Sequence, residues 1–518
     1  MLATATQRNA TRYAFIAAFG GFVFGLDAAN LSGAIRYISA LFALDSFEVG
    51  LVATCSIVGV IIALFFTGWL CERFGRKKIL LAIALAYSLS SILSALAVNF
   101  EMLVVGRFIG GVAFASITVS AMYIGEIAPA DQRGRFVSMS QLLIVLGSLV
   151  AFVVNYFLVK ALPGSALLTE ANIWRFMLGF ELIANIIWVA SLLTVPESPR
   201  WLMAKGQKDD ARRVFCQTIP DSDISATIAD VEASIAEEAR QHPVAQLREF
   251  FSRPYGYVIA IGALYAIVQG ATGMNAVLFF APMVFEQIGM SVEDSFFQTI
   301  ILGATAVFGT IVAILFVEMW GRRFLTLAGL SLIFIAHLST WHGFDSAKYR
   351  IDDTAIAAIA DQGIDATKLA PLSGRTYDSD VALKRDLASV YSKQELPLAT
   401  GPVINSTIDI NPVFVLFGIF AFYAAFNLSI GPIMWVIFSE IFPNAVRSVA
   451  MPFVALVQTI AGFVISYFFP WQLENLGAAS TFLIFAIVAG IGLAFMAFIL
   501  PETKGKSIEQ LERDLVRA

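Results

Sequence analysis

Cysteine and histidine are scarce in this chain. The three cysteines, Cys55, Cys71 and Cys216, lie too far apart for a metal-ligand set. None falls in a segment expected outside the membrane, so no disulfide framework is expected there. The three histidines are as scattered: His242 lies in a polar linker, while His337 and His342 stand at the outer end of an apolar segment. No Ser/His/Asp grouping, metal cluster or phosphate-binding loop appears, which argues against an enzyme and leaves no residues for a cofactor. Charge is short as well, at 14% of residues, and the net charge of -5 gives no basic patch for nucleic acid.

What fills the chain is apolar. Hydrophobic residues make up 58% of 518, far more than one water-soluble core of this size would use. Twelve segments are long enough to cross a bilayer, near residues 13-33, 48-70, 79-98, 102-125, 136-158, 176-195, 255-285, 297-317, 324-342, 411-438, 448-470 and 478-499. The expected class is all-α: a polytopic membrane protein with twelve transmembrane helices, surrounded by lipid. A cleaved signal peptide competes for the first segment, but that segment carries Asp27 and lacks a convincing cleavage site, so it is taken as a helix. Positive residues set the orientation. With the N-terminus inside, 23 of the 34 basic residues are cytoplasmic; only Arg36, Lys160 and Arg175 fall in short outer loops. Both termini are therefore expected in the cytoplasm, the chain in the plasma (inner) membrane, and the monomer as the working unit.

The loops repeat. Glu72 is followed by Gly75-Arg76 and Glu318 by Gly321-Arg322, at an offset of 246 residues. Glu126 opens Glu-Ile-x-Pro with Arg133 beyond it, and Glu440 does the same with Arg447, at an offset of 314. The 68-residue difference predicts an insertion between Glu318 and Glu440, and the polar stretch 343-410 has that length. Residues 1-199 and 253-518 thus read as two six-helix halves in parallel repeat, joined by a helical cytoplasmic linker at 200-252. The insertion, with short apolar runs and no cysteine, reads as a loop or small outer subdomain without a core pattern, dispensable for transport. In each half the acids and arginines Glu72, Arg76, Glu126, Arg133, Glu318, Arg322, Glu440 and Arg447 are candidates for a cytoplasmic gate whose pairs break as the halves rock.

Three ionisable residues lie inside apolar segments. Asp27 is too deep and too short to reach the headgroups, so a functional role is expected of it. Arg107, followed by 18 uncharged residues, is the one arginine placed to partner it, and Glu181 sits at a similar depth in the sixth segment. Burial favours a neutral acid and a nearby guanidinium favours the carboxylate, so movement of Arg107 could switch Asp27 between taking and releasing a proton.

Taken together, GGFVFGLDAANLSGA, GRFIGG, ERFGRKK, EIAPADQRG, PESPRW, GPIMW, SEIFPNAVR and PETKG resemble the sugar porter family of the major facilitator superfamily. The resemblance covers nearly the whole chain except the outer insertion. It implies the major facilitator fold, and it matches Asp27, Arg107 and Glu181 to the proton-coupling trio of the family's symporters. It also implies that Phe24, Gln141, Gln269, Asn275, Trp435 and Gln458 hold the sugar, with Phe279 and Phe280 where the family has a Tyr pair. Amides suit hydroxyls, and an aromatic face suits a pyranose. Gly270 replaces a second Gln and Thr459 an aromatic residue, so the substrate is expected to be a monosaccharide or sugar-like polyol other than a common hexose. A facilitative uniporter, an exporter or antiporter of another small metabolite, and a nutrient sensor are the alternatives to proton symport.

Overall fold

The computed structural model describes all residues except 1-4, 130-132, 239-242, 362-363, 393-394, 444-445, 507 and 517-518. Twelve described helices are long and apolar enough to span a membrane. They are span 1 (Ala5–Phe42), span 2 (Ser46–Phe74), span 3 (Arg76–Ala95), span 4 (Phe100–Ile127), span 5 (Met139–Gly164) and span 6 (Ile173–Leu193), then span 7 (Arg253–Glu286), span 8 (Val292–Val317), span 9 (Arg322–Asp345), span 10 (Pro412–Ile441), span 11 (Arg447–Asn475) and span 12 (Gly477–Ile499). Local signals mark the boundaries. Asp45 and Glu48 form a reciprocal cap at the start of span 2, and Ser291 accepts from the Asp294 amide at the start of span 8. Gly75 and Gly321, at φ of 95° and 82°, turn the chain sharply between spans 2 and 3 and between spans 8 and 9. Spans 4, 6, 7 and 10 are each interrupted, at Phe114, Phe180, Thr272 and Ser429.

Toward the insertion side the two halves share apolar packing. One apolar core runs through the second half and takes in Leu31, Ile35, Val49, Val52 and Trp174 from the insertion-side ends of the first. A second core occupies the termini-side part of the first half (Tyr13, Leu80, Tyr123, Leu192) and continues into the linker at Leu202, Phe215 and Ile224. Polar and aromatic contacts between halves follow the same division. Arg36 pairs with Glu286, Lys160 lies 3.8 Å from Glu293, and the Phe47 ring packs on Tyr467, Phe468 and Trp471, all on the insertion side.

The insertion is a folded subdomain with a core of its own, which corrects the expectation that it lacks one. Strands β1 (Lys348–Arg350), β2 (Thr376–Tyr377) and β3 (Ile408–Asp409) form an antiparallel sheet in the order β2-β1-β3, with Tyr349 opposite both Tyr377 and Ile408. Tyr349, Ile359, Leu369, Leu383, Leu387 and Val403 converge beneath it. These residues come from runs too short to read as amphipathic singly, so only tertiary folding reveals the core. Lys368 and Ser392 hold the Glu395 carboxylate down to about 2, so this tie persists at neutral pH and is lost as pH falls from the ordinary carboxylate range through about 2.

The subdomain docks on the second half. Lys384 donates to Asp380 at 2.7 Å and to the Leu473 carbonyl at 2.9 Å, beside the turn between spans 11 and 12. At that turn Gly477 has φ 81°, and a Cβ there would lie 2.5 Å from Asp380 Oδ1. Gly477→Ala is therefore expected to loosen the docking without disturbing the spans. Limited proteolysis should cut the insertion faster while the twelve-span body stays intact; an unchanged digestion rate would remove the docking role.

Candidate functional site

Asp27, Arg107 and Glu181, from spans 1, 4 and 6, meet in the buried centre of the first half. Each is no more than 3% exposed. Arg107 Nη1 donates to Asp27 Oδ1, and Nη2 reaches Ser56 Oγ on span 2 at 3.4 Å. Glu181 lies beside Asp27 and accepts from Asn185 Nδ2 at 3.1 Å. Asp27 Oδ2 is buried without a hydrogen-bond partner among the described residues. The GRFIGG motif makes this meeting possible. A Cβ at Gly111 would lie 1.9 Å from the Ser56 carbonyl oxygen, so only glycine lets span 4 press against span 2 and bring Arg107 to Asp27. The break of span 6 falls at Phe180, and Glu181 opens the helix that follows it. Ser56 and Asn185 are partners that sequence reasoning missed, since a lone polar residue in an apolar run does not announce its neighbour.

The predicted sugar-binding residues divide into two groups. Gln269 and Asn275 flank the break in span 7, and span 11 crosses close by. The Asn275 amide nitrogen is 3.0 Å from where a Cβ of Gly462 would be. Gly270 touches the Gln458 carbonyl, 2.6 Å from its own Cβ position, so the missing second glutamine has a steric cause. Gln269 is 8% exposed, and its Oε1 is buried without a described partner. Gln141 on span 5 and Gln458 on span 11 are half-buried, Trp435 on span 10 is 40% exposed, and Phe24 packs edge-on against Phe114 at 4.5 Å. Phe279 and Phe280 form the second group. They are 5% and 0% exposed inside the second-half core, with Phe280 against Phe469, so in this conformation they close the insertion side and do not line an open site.

Of the gate candidates, four form two matching ion pairs. Arg76 binds Glu126 at 2.8 Å and 3.2 Å, and Arg322 binds Glu440 at 2.8 Å and 3.1 Å. Each pair lies within one half and joins the ends of two neighbouring spans, so neither bridges the two halves directly. The cause is positional: Arg76 begins span 3 and Glu126 ends its neighbour span 4, and the same holds for spans 9 and 10. Glu72 is exposed, with its carbonyl accepting from Trp201, and Arg447 donates to the Phe442 carbonyl rather than to an acid. The side chains of Arg133 and Glu318 lie outside the described residues. Two further acids complete the clamps. Glu197 accepts the amides of Arg76 at 2.8 Å and Lys77 at 3.0 Å, and Glu502 accepts those of Arg322 and Arg323 at 3.1 Å and 3.2 Å. Each thereby caps the first turn of a span and suits its positive end. Their signal was present in the twin endings PESPRW and PETKGK.

Two six-span halves in repeat and an ion pair buried among interrupted helices define a secondary transporter of the major facilitator type. The chain belongs to the sugar transporter family: the family model described as "Sugar (and other) transporter" matches residues 13-359 and 396-515. The unmatched residues all fall inside the insertion or at the chain ends. Similar curated proteins include an arabinose-proton symporter of Bacillus subtilis strain 168, 29% identical over 96% of this chain and 93% of that one. The D-xylose-proton symporter of Escherichia coli K12 is 28% identical over 98% and 96%. Among solved structures, the inward-open xylose transporter XylE of E. coli aligns with a TM-score of 0.74 at 26% identity, covering 97% of this chain and 99% of that one. The same transporter bound to 6-bromo-6-deoxy-D-glucose aligns at 0.71 and 26% identity, covering 98% and 99%.

The clamps yield a direct test. Glu126→Gln and Glu440→Gln each remove the acid from a largely buried, charge-assisted hydrogen bond, expected to cost about 1.5 to 3 kcal/mol. Melting in detergent should shift down for both variants, with no rise in the accessibility of cysteines from the cytoplasm. Unchanged melting with raised accessibility would restore the gate reading.

Proposed function

We propose that the chain imports a monosaccharide or sugar-like polyol together with a proton, by alternating access between its two halves. The observation that carries this reading is the Asp27–Arg107 pair, shut away from water with Glu181 beside it. A charge so placed is costly unless it is used, and proton relays are a principal use. The named proton symporters among its relatives support the same reading. The side bearing the termini is cytoplasmic on the positive-residue argument, and the membrane is the plasma (inner) membrane. The monomer holds both halves and suffices.

In this reading the sugar sits between the halves. Gln141 from one side, and Gln269, Asn275 and Gln458 from the other, exchange hydrogen bonds with its hydroxyls; Trp435 and Phe24 cover its apolar faces. Oδ2 is the Asp27 atom that takes the proton, since Oδ1 is held by Arg107. Protonation neutralises Asp27 and releases its hold on the guanidinium. Return of Arg107 to the carboxylate, as in the conformation described, accompanies proton release toward the cytoplasm.

Asp27→Asn imitates the protonated acid permanently. The variant should bind and exchange sugar across vesicles but fail to accumulate it under an imposed proton gradient. Accumulation that persisted, and still rose as the outside was acidified, would dismiss Asp27 as the proton site and leave a facilitator or a differently coupled symporter. Separately, Gln269→Ala and Gln458→Ala should each weaken sugar binding by roughly five- to 150-fold, the worth of about 1 to 3 kcal/mol. Equal affinity in both variants would place the pocket elsewhere.

A further inference from the structure

The coupling trio leaves one buried ionisable side chain of the second half unused. His337 lies midway along span 9 and is 1% exposed. Its Nε2 is 3.0 Å from the Thr272 carbonyl oxygen. A carbonyl only accepts, so Nε2 carries the proton. The ring is fixed by Phe422 of span 10 at 4.4 Å and by Phe482 and Phe485 of span 12 at 6.1 Å and 5.6 Å. Four spans thus converge on one imidazole.

Thr272 is where span 7 breaks. Its first helix ends at Ala271, and the second starts at Met274 after Gly273, whose φ of 88° ends one helical direction and begins another. A break within hydrocarbon frees carbonyls that water cannot satisfy, and some group in the protein must bind them. Two side chains do so: the Thr272 hydroxyl donates to the Gln269 carbonyl at 2.9 Å, and His337 donates to the Thr272 carbonyl. At the 246-residue offset His337 corresponds to Ser91 of span 3, whose hydroxyl donates at 3.0 Å to the Leu178 carbonyl of span 6; that span is not the counterpart of span 7, so the support of the span 7 break belongs to the second half alone.

Resting on the sugar-site reading above, we propose that His337 is a positioning residue: by holding the Thr272 carbonyl it sets the angle of the span 7 break and so the placement of Gln269 before it and Asn275 after it. The side chain touches no sugar. It acts through the backbone between the two amides, which are three residues before and three after Thr272. The bond requires a donor at the Nε2 position and no charge. Glutamine can offer an amide N–H at nearly the same reach; leucine cannot.

His337→Leu and His337→Gln, made in the full-length chain in detergent, separate this role from simple packing. Hydrogen exchange of the amides from 273 to 277, measured without sugar, should accelerate in the leucine variant and stay near the parent rate in the glutamine variant. Affinity for the transported sugar should fall roughly tenfold with leucine and return to within about threefold with glutamine. The turnover of bound sugar should change far less than its half-saturation concentration. Exchange rates that leucine leaves untouched, or that glutamine fails to restore, would overturn the proposal. Faster exchange with unchanged affinity would overturn its positioning part. Gln269→Ala serves as the control: if that variant binds sugar normally the pocket reading has failed, while the exchange measurement still decides whether His337 holds the break.

Discussion

A carboxylate out of reach of water obliges a base to come to it, and much of the first half serves the meeting of Asp27 with Arg107. The glycines of GRFIGG bring span 4 against span 2, Ser56 takes the other end of the guanidinium, and the break in span 6 presents Glu181. The energetics limit what the site can do. Separating a buried pair by removing one partner costs about 3 to 5 kcal/mol, more than thermal motion supplies readily. Delivering a proton to Asp27 is the inexpensive route, because it removes one of the two charges before the partners part. On the proposed reading, this cost is what would couple the pair's separation to protonation.

Such coupling matters only if the halves move as bodies. The clamps at the ends of spans 3 and 9 provide that. In each half an arginine ties a neighbouring span through Glu126 or Glu440, while Glu197 or Glu502 caps the turn that carries it. Gly75 and Gly321 are indispensable there, since a Cβ would lie 2.3 Å from a Glu197 oxygen and 2.8 Å from a Glu502 oxygen. Because every one of these bonds is internal to a half, rocking breaks none of them. The contacts that must change are those between halves, and on the insertion side these include the Arg36–Glu286 pair, Lys160 with Glu293, and the aromatic seam of Phe47 with span 11.

Much of this was legible in the sequence because it rests on repetition and on cost. The twelve spans follow from apolar length, the two halves from twin loop motifs, and the central site from a charge that should not be where it is. The repeat of acids and arginines in both halves marked Arg76, Glu126, Arg322 and Glu440 together, whereas the capping role of Glu197 and Glu502 did not follow from spacing, which says nothing of which helix ends are neighbours. Phe279 and Phe280 were read as pocket residues, yet aromatic residues of that kind serve a core equally well, and conformation decides which. The insertion's core stayed hidden because its residues come from short apolar stretches scattered between Ala347 and Ile404, which only tertiary folding brings together. His337 was placed at a helix end by counting apolar residues, whereas the helix continues past it to Asp345.

The halves share an architecture and divide the chemistry. In the first half the buried polar centre is ionic, with Asp27, Arg107 and Glu181; in the second it is neutral, with Gln269, Thr272, Asn427, Ser429 and an imidazole that donates one hydrogen bond. An ionic centre responds to a proton, and a neutral centre of amides suits hydroxyl groups. The two must sense each other without touching, and the structure offers one route. Span 1, which carries Asp27, also carries Arg36, whose partner Glu286 ends span 7, the helix of Gln269 and Asn275. If Asp27 and these amides act as proposed, a shift of span 1 on a change of charge at Asp27 would reach span 7 through this pair, and the break at Thr272 is where span 7 would bend.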